Sequence, residues 1–291
     1  MNEALLLDLA DCGSPETLVG TILKHHPDLP RPVPVEDLAR EVGIKDIKDL
    51  EVDGFEGGLI ANPEKSTGIV MVKLGMAPRR RRFTIGHEVG HFLIPTHQGV
   101  QQCTKADMTE ARRDTPYRRQ EAEANRFSAG LLMPKPAFIL QVRSLGSADV
   151  SHVRALGEMF DTSMEATANR YVELSRESCA IVFALNGVIR YVRPSRTFPK
   201  MAIVANAALP ALSATARAGS AAGLRPWCEV QGAVWLETEW GVRTPRVLEQ
   251  PLVQSNGYTV TLLQIDEDEV ARDDEAEELA GRWHVGFGGR R

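Results

Sequence analysis

Hydrophobic positions along this chain recur with two different spacings, and the change between them divides it into segments. Ser14-Pro15 reads as a cap followed by proline at the first helical position, opening a helix to about Lys24. Val35 to Val42 reads as a second short helix stopped by Gly43. Between Ile47 and Val72 the pattern shifts to short β-prone pieces, Gly58 to Ala61 and Ile69 to Val72, separated by Gly, Asn and Pro. Pro78 then starts a helix that Pro95 ends, because proline removes a donor and pushes Ile94 off helical angles. Thr96 to Pro116 is polar and reads as loop. Helical spacing returns from Tyr117 to Met133, where Ala122, Phe127, Leu131 and Leu132 share a face ahead of Pro134 and Pro136.

From Ser147 to Ser175 the pattern predicts two helices joined by a tight turn, with Val153, Leu156 and Phe160 on one and Met164, Ala168 and Tyr171 on the next. Thr162 to Glu165 reads as a capping box for the second. The pair is helix-turn-helix-like, but its second helix sets Glu165, Glu173 and Glu177 against Arg170 and Arg176, which suits phosphates poorly. Beyond Cys179 the chain becomes strand-like: Ala180 to Leu185, an Asn186-Gly187 hairpin turn, Val188 to Val192, then Val230 to Leu236 and Tyr258 to Ile265. Ala207 to Gly223, rich in Ala, Ser and Gly, fits either a loop or a weak helix. The expected architecture is α+β: a first domain over 1–145, a helical segment over 146–178 and a β-rich domain over 179–268. Residues 269–291 read as a charged, then Gly-rich, disordered tail in which Trp283 and His284 are incidental.

Composition narrows the function classes. With 291 residues and 43% hydrophobic content the chain can bury a sizeable core. A net charge of −5 gives no electrostatic reason to expect nucleic acid as the main partner, so direct DNA binding is disfavoured. Cys12, Cys103, Cys179 and Cys228 are scattered without a CxxC pair and read as free thiols of a reducing compartment. Leu5-Leu6-Leu7 is interrupted by Asp8 and Asp11 and is too short and acidic for a signal peptide, and no run reaches membrane-spanning length. A cytoplasmic location is the expectation.

The chemistry concentrates in His87, Glu88 and His91, an HEVGH run inside RRFTIGHEVGHFLIP. Residues four apart share one helix face, so both imidazoles can reach a single ion while Glu88 sits beside the open coordination position. Ile85, Val89, Phe92 and Leu93 place the apolar face elsewhere and leave His87 and His91 together with Thr84. A hydrolytic zinc site takes three protein ligands and needs one more donor, for which Glu121 and His97 compete. Glu121 begins EAEANRFSAGLLMP, where Asn125 falls on the same face and can hydrogen-bond a ligand, whereas Glu123 points about 200° around the helix. HEVGHFLIPTH repeats the ligand spacing HExxHxxGxxH, but Ile94 stands where that pattern has glycine and resists the positive-φ turn. Tyr117 and His97 are the nearby candidates for an additional oxyanion donor. Arg79 to Arg82, at the positive end of their helix, either dock an acidic or nucleic-acid surface, stay solvated, or pair with carboxylates elsewhere.

RRRFTIGHEVGHFLI followed by ExxANxFxxxLLMP resembles the ImmA/IrrE family of bacterial zinc-dependent peptidases, over about Val33 to Pro136. Ser128 stands where that family more often has alanine. The resemblance implies a zincin-like, gluzincin-type site with His87, His91 and Glu121 on one Zn2+ ion, or another divalent metal such as Mn2+, and Glu88 as catalytic base. It also implies a substrate class, small helix-turn-helix repressors cut in stress or mobile-element responses, and a C-terminal sensor or docking domain of GAF-like type. The competing reading is an antirepressor that the metal stabilises and that binds its partner without cutting it.

Overall fold

The computed structural model describes residues 2–97, 99–109, 114–238, 240 and 244–265. The chain is mixed α+β and divides into two compact units, one formed by Met1–Gly146 with Arg154–Arg170, the other by Ser147–Val153 with the described residues from Tyr171 onward.

In the first unit α1 (Glu3–Ala10), α2 (Pro15–His25) and α3 (Val35–Glu41) precede a four-stranded sheet. Asn2 caps α1 through its side chain, and Ser14 with Thr17 forms a capping box on α2. The sheet contains β1 (Ile44–Leu50), β2 (Gly57–Ala61), β3 (Gly68–Lys73) and β4 (Val100–Cys103) in the order β1-β3-β2-β4. β1 runs parallel to β3, and β2 pairs antiparallel with both β3 and β4. The segment expected as loop over Thr96 to Pro116 therefore supplies an edge strand and a 3-10 turn at Asp107–Thr109.

α4 (Pro78–Leu93) is the centre of this unit, with every residue from Thr84 to Phe92 buried. Ile85, Val89 and Phe92 join Leu59, Val70 and Val72 of the sheet in one apolar core, together with Phe127, Leu131 and Leu132 from α5 (Pro116–Leu132). Ile94 ends α4 in an extended conformation, as Pro95 requires. Lys65 closes that end: its Nζ donates to the His91 and Ile94 carbonyls at 2.7 Å each, satisfying groups the helix leaves unpaired.

Two glycines let α4 and α5 approach closely. A Cβ on Gly90 would fall 3.1 Å from the Phe127 ring and 3.3 Å from Ala124 Cα; one on Gly86 would fall 2.6 Å from Ser128 Oγ. Ser128 uses that hydroxyl to donate to the Phe83 carbonyl at 2.8 Å, so the serine is accommodated without an unsatisfied polar group.

The four arginines at the start of α4 are paired. Arg79 and Arg82 each lie 3.2 Å from Asp161, Arg80 is 2.9 Å from Glu56, and Arg81 meets Glu36 and Asp49. These carboxylates offset the unfavourable position of cations at a helix N-terminus, so the run ties α4 to its own unit. α6 (Lys135–Ser144) restarts the helix that Pro134 interrupts. α7 (Ser151–Phe160) and α8 (Met164–Leu174) follow, separated by Asp161 at positive φ. The cap on α8 is Ser163, which accepts from Ala166 N at 3.1 Å; Thr162 instead turns inward to Thr167 Oγ1 at 2.7 Å, one residue off the expected box.

The second unit is built on an antiparallel sheet. It contains β5 (Cys179–Leu185), β6 (Val188–Pro194), β7 (Gly223–Leu224), β8 (Cys228–Val230), β9 (Val247–Val253) and β10 (Tyr258–Ile265), in the order β6-β5-β10-β9-β7, with β8 also on β9. Asn186 and Gly187, both at positive φ, make the β5–β6 hairpin turn as their sequence predicts. The strand expected over Val230 to Leu236 stops at Val230, where a 3-10 turn at Gly232–Val234 swings Trp235 inward. α9 (Ala214–Arg217) is one turn of helix inside the Ala/Ser/Gly-rich stretch. Glu249, fully buried, accepts from Ala214 N at 2.9 Å, Thr215 N at 2.6 Å, Trp235 Nε1 at 3.0 Å and the Thr215 hydroxyl, holding that turn and the tryptophan together. The tail from Asp266, with Trp283 and His284, lies outside the described residues. No helix among the described residues is long and apolar enough to cross a membrane.

Candidate metal centre

His87 and His91 stand one turn apart on α4 and are fully buried, as is Glu121 on α5. Their ligand atoms converge: His87 Nε2 lies 3.0 Å from His91 Nε2 and 3.2 Å from one Glu121 oxygen, and the other Glu121 oxygen is 3.5 Å from His91 Nε2. The close packing of α4 on α5 at Gly86 and Gly90 brings the carboxylate there. Cys103, at the end of β4, completes a buried cluster with His87, His91 and Glu121 whose ligand atoms all lie within 4.8 Å of one another.

The hydrogen bonds around the imidazoles fix where their protons sit. Asn125 Nδ2 donates to the Asp107 carbonyl at 2.8 Å, so Oδ1 is the amide atom facing His87 Nδ1 at 2.9 Å, and Nδ1 must carry the proton. On the other side Glu123 can only accept, so His97 Nε2, 3.1 Å away, donates to it. That leaves Nδ1 of a neutral His97 as acceptor for His91 Nδ1, 3.0 Å away. Both Nε2 atoms then present lone pairs to one point, beside a carboxylate whose two oxygens have no hydrogen-bond partner among the described residues.

With both imidazoles neutral, two lone pairs and an anion face one point, an arrangement that a proton on His87 Nε2 relieves in the metal-free chain and that a cation can satisfy in its place. Donors at zinc-like bond lengths of about 2.0–2.3 Å in a tetrahedron stand about 3.3–3.6 Å apart, within a few tenths of an ångström of the observed 3.0, 3.2 and 3.5 Å. His87, His91, Cys103 and Glu121 can therefore hold a metal ion.

The electrostatics agree. Burial works to raise the pKa of Glu121, but His87 and His91 pull it down to about 2. Burial also opposes a charged His87, yet Glu121 and Glu88 outweigh it and raise its pKa, while His91 is held down to about 4 by burial and its imidazole neighbours. Glu88 is fully buried and its two carboxylate oxygens lack hydrogen-bond partners among the described residues; burial pushes it up to about 7.

His97 does not join the convergent donors. It sits behind His91, on the ring nitrogen facing away from Glu121, with Glu123 holding it from the far side. Glu123 thus has a task that its position about 200° from Glu121 concealed. Tyr117 is half-exposed in the first turn of α5, and burial together with its hydrogen bond to Asp107 raises its phenol. Cys103 and Lys65 were missed by sequence reasoning. The signal for Cys103 was weak, a lone cysteine at the end of a polar edge strand, and Lys65 lies in a loop with no motif.

No curated protein matches the chain. Residues 41–171 match the family model for Peptidase M78, the IrrE N-terminal-like domain, a metallopeptidase-type group. That span contains the sheet, both helices of the convergent cluster and its donors, so this part of the chain is similar to the IrrE N-terminal-like domain, in line with the ImmA/IrrE resemblance.

Proposed function

We propose that the chain is a zinc-dependent, site-specific endopeptidase in which His87, His91 and Glu121 hold the metal and Glu88 is the general base. The observation that carries this reading is the convergence of two imidazole lone pairs and an orphaned carboxylate beside a second buried, unpartnered carboxylate. A divalent ion, when bound there, supplies Lewis-acid polarisation of a carbonyl. Glu88 takes a proton from water and returns it to the leaving amine, a task suited to a carboxyl that burial has brought near neutrality. Asn125 and the His97–Glu123 pair orient the two imidazoles. β4 is an edge strand ending at Cys103, so an extended peptide can add to the sheet there and carry its backbone past the cluster.

In this reading the substrate is a small helix-turn-helix repressor, cut in the cytoplasm during a stress or mobile-element response, and the second unit is a sensor or docking module. The match to the IrrE N-terminal-like domain, together with what the ImmA/IrrE resemblance implies about substrates, supports it. Direct DNA reading by α8 is disfavoured, because Arg170 is buried and spends its guanidinium on the Met133 carbonyl. One observation favours the alternative, a metal-stabilised antirepressor without proteolysis: Cys103 offers a fourth donor, and structural zinc is closed by four. The test is incubation of the zinc-loaded chain with a proteome-derived peptide library. Site-restricted cleavage that a chelator abolishes is the expected result; an uncut library contradicts the peptidase reading.

A further inference from the structure

Cys103 is the one member of the buried cluster that the peptidase reading leaves without a role. It is fully buried, its Sγ stands 3.9 Å from His91 Nε2, and it shares the site with Glu88 and Glu121, whose oxygens lack hydrogen-bond partners among the described residues. A sulfur and a nitrogen bound to the same tetrahedral zinc ion stand about 3.6 Å apart, so the thiol is within a few tenths of an ångström of bonding distance relative to His91, and all four donors lie within 4.8 Å of one another. Cys103 is the last residue of the edge strand β4, where its carbonyl accepts from Glu56 N at 3.1 Å while its thiol faces His91 and Glu88.

We propose that Cys103 is an exchangeable fourth ligand: its sulfur closes the site held by His87, His91 and Glu121, and its withdrawal vacates the position that Glu88 serves. This rests on the metal-centre reading above and adds a resting state to it. The site would be both of the things that a four-donor and a three-donor arrangement imply, closed while the sulfur is bound and hydrolytic once it leaves. Whatever moves the β4 edge, an added peptide strand included, would then govern activity through one metal–sulfur contact.

The test uses the full chain, stripped of metal and titrated with Co2+ alone. Wild type is expected to show the visible bands of four-coordinate cobalt together with a near-ultraviolet thiolate-to-cobalt charge-transfer band. Cys103→Ser should keep the visible bands, lose the charge-transfer band and bind Co2+ more weakly by about tenfold or more. Acetohydroxamate added to the wild-type cobalt protein should bleach the charge-transfer band as it binds, because it competes for the sulfur's position. Visible bands without a charge-transfer band in wild type, or a charge-transfer band that survives in Cys103→Ser, would overturn the thiolate ligand while leaving the three-donor site standing. A charge-transfer band untouched by saturating hydroxamate would overturn exchangeability. Absence of any cobalt spectrum would overturn the metal-centre reading itself, and the proposal with it.

Discussion

Oδ1 of Asn125 lies 2.9 Å from Nδ1 of His87, and the same amide donates from Nδ2 to the Asp107 carbonyl at 2.8 Å. The asparagine is locked in one orientation from behind, and so it locks the imidazole in one tautomer. Asn125→Ala should lower metal affinity about 10–100-fold with the fold intact, whereas Asn125→Asp, which keeps an acceptor, should retain most of it. Competition with a chromophoric chelator measures both.

His91 has the equivalent support in His97 and Glu123. Glu123→Ala frees His97 to take the other tautomer, and His97→Phe removes the acceptor altogether. Both should weaken metal binding by about tenfold, and the pair combined should cost no more than His97→Phe alone, because they act along one chain of contacts. Additive losses would show that the two residues act separately.

Gly90 is required by packing as well as by motif. Gly90→Ala forces a methyl against the Phe127 ring and the Ala124 backbone, and should cost about 1–3 kcal/mol in denaturant unfolding. Spreading α4 from α5 should also move Glu121 away from the imidazoles, so metal affinity should fall in the same variant.

In the metal-free protein Glu88 should cost stability as pH rises from about 4.5 to about 7, against an opposite contribution from His91, whose pKa of about 4 makes stability rise from pH 4 to 6.5. Glu88 has its pKa raised from 4.5 to about 7 by burial, so the folded state holds a proton that the unfolded state has released. Across that window this carboxyl binds more protons in the folded form, which makes its contribution to the slope negative. Glu88→Gln removes this loss and should be more stable than wild type at pH 8 by up to about 3 kcal/mol. Glu121 acts with the opposite sign and lower down: its pKa of about 2 makes stability rise with pH as far as 4.5. Urea titrations of wild type and Glu88→Gln from pH 2 to 8 isolate the Glu88 contribution as the difference between the two proteins above pH 4.5, and the Glu121 contribution as the rise they share below it.

In the second unit Glu249 is the test of a buried charge that is structural. Its carboxylate holds two backbone amides, a hydroxyl and the Trp235 indole. Glu249→Ala should destabilise this unit by about 3 kcal/mol or more, because four donors lose their acceptor together. Near-ultraviolet circular dichroism of the tryptophan reports it.

The parts legible in the sequence were those where one spacing carries one structure. Pro78 and Pro95 delimit α4, Asn186-Gly187 makes its hairpin turn, and His87, His91 and Glu121 come together from helix periodicity and the resemblance. What escaped was polar on the strand scale. β1, IKDIKDL, is an edge strand with exposed charges, and β9, VLEQPLV, carries Glu249 and Gln250 inside the core because tertiary partners satisfy them. β4 looked like loop for the same reason, and Cys103 went unnoticed with it. The arginine run was legible only as a conflict with the helix dipole; the carboxylates that resolve it come from Glu36, Asp49, Glu56 and Asp161, distant in sequence.

The most direct test of the central claim compares wild type with Glu88→Gln, by metal content and by mass-spectrometric mapping of new protein N-termini in the native host under several stresses. The account predicts one metal ion in both proteins and a new terminus inside a small repressor only with wild type. Equal cleavage by Glu88→Gln, or no new terminus under a stress whose transcriptional response depends on this protein, would contradict it.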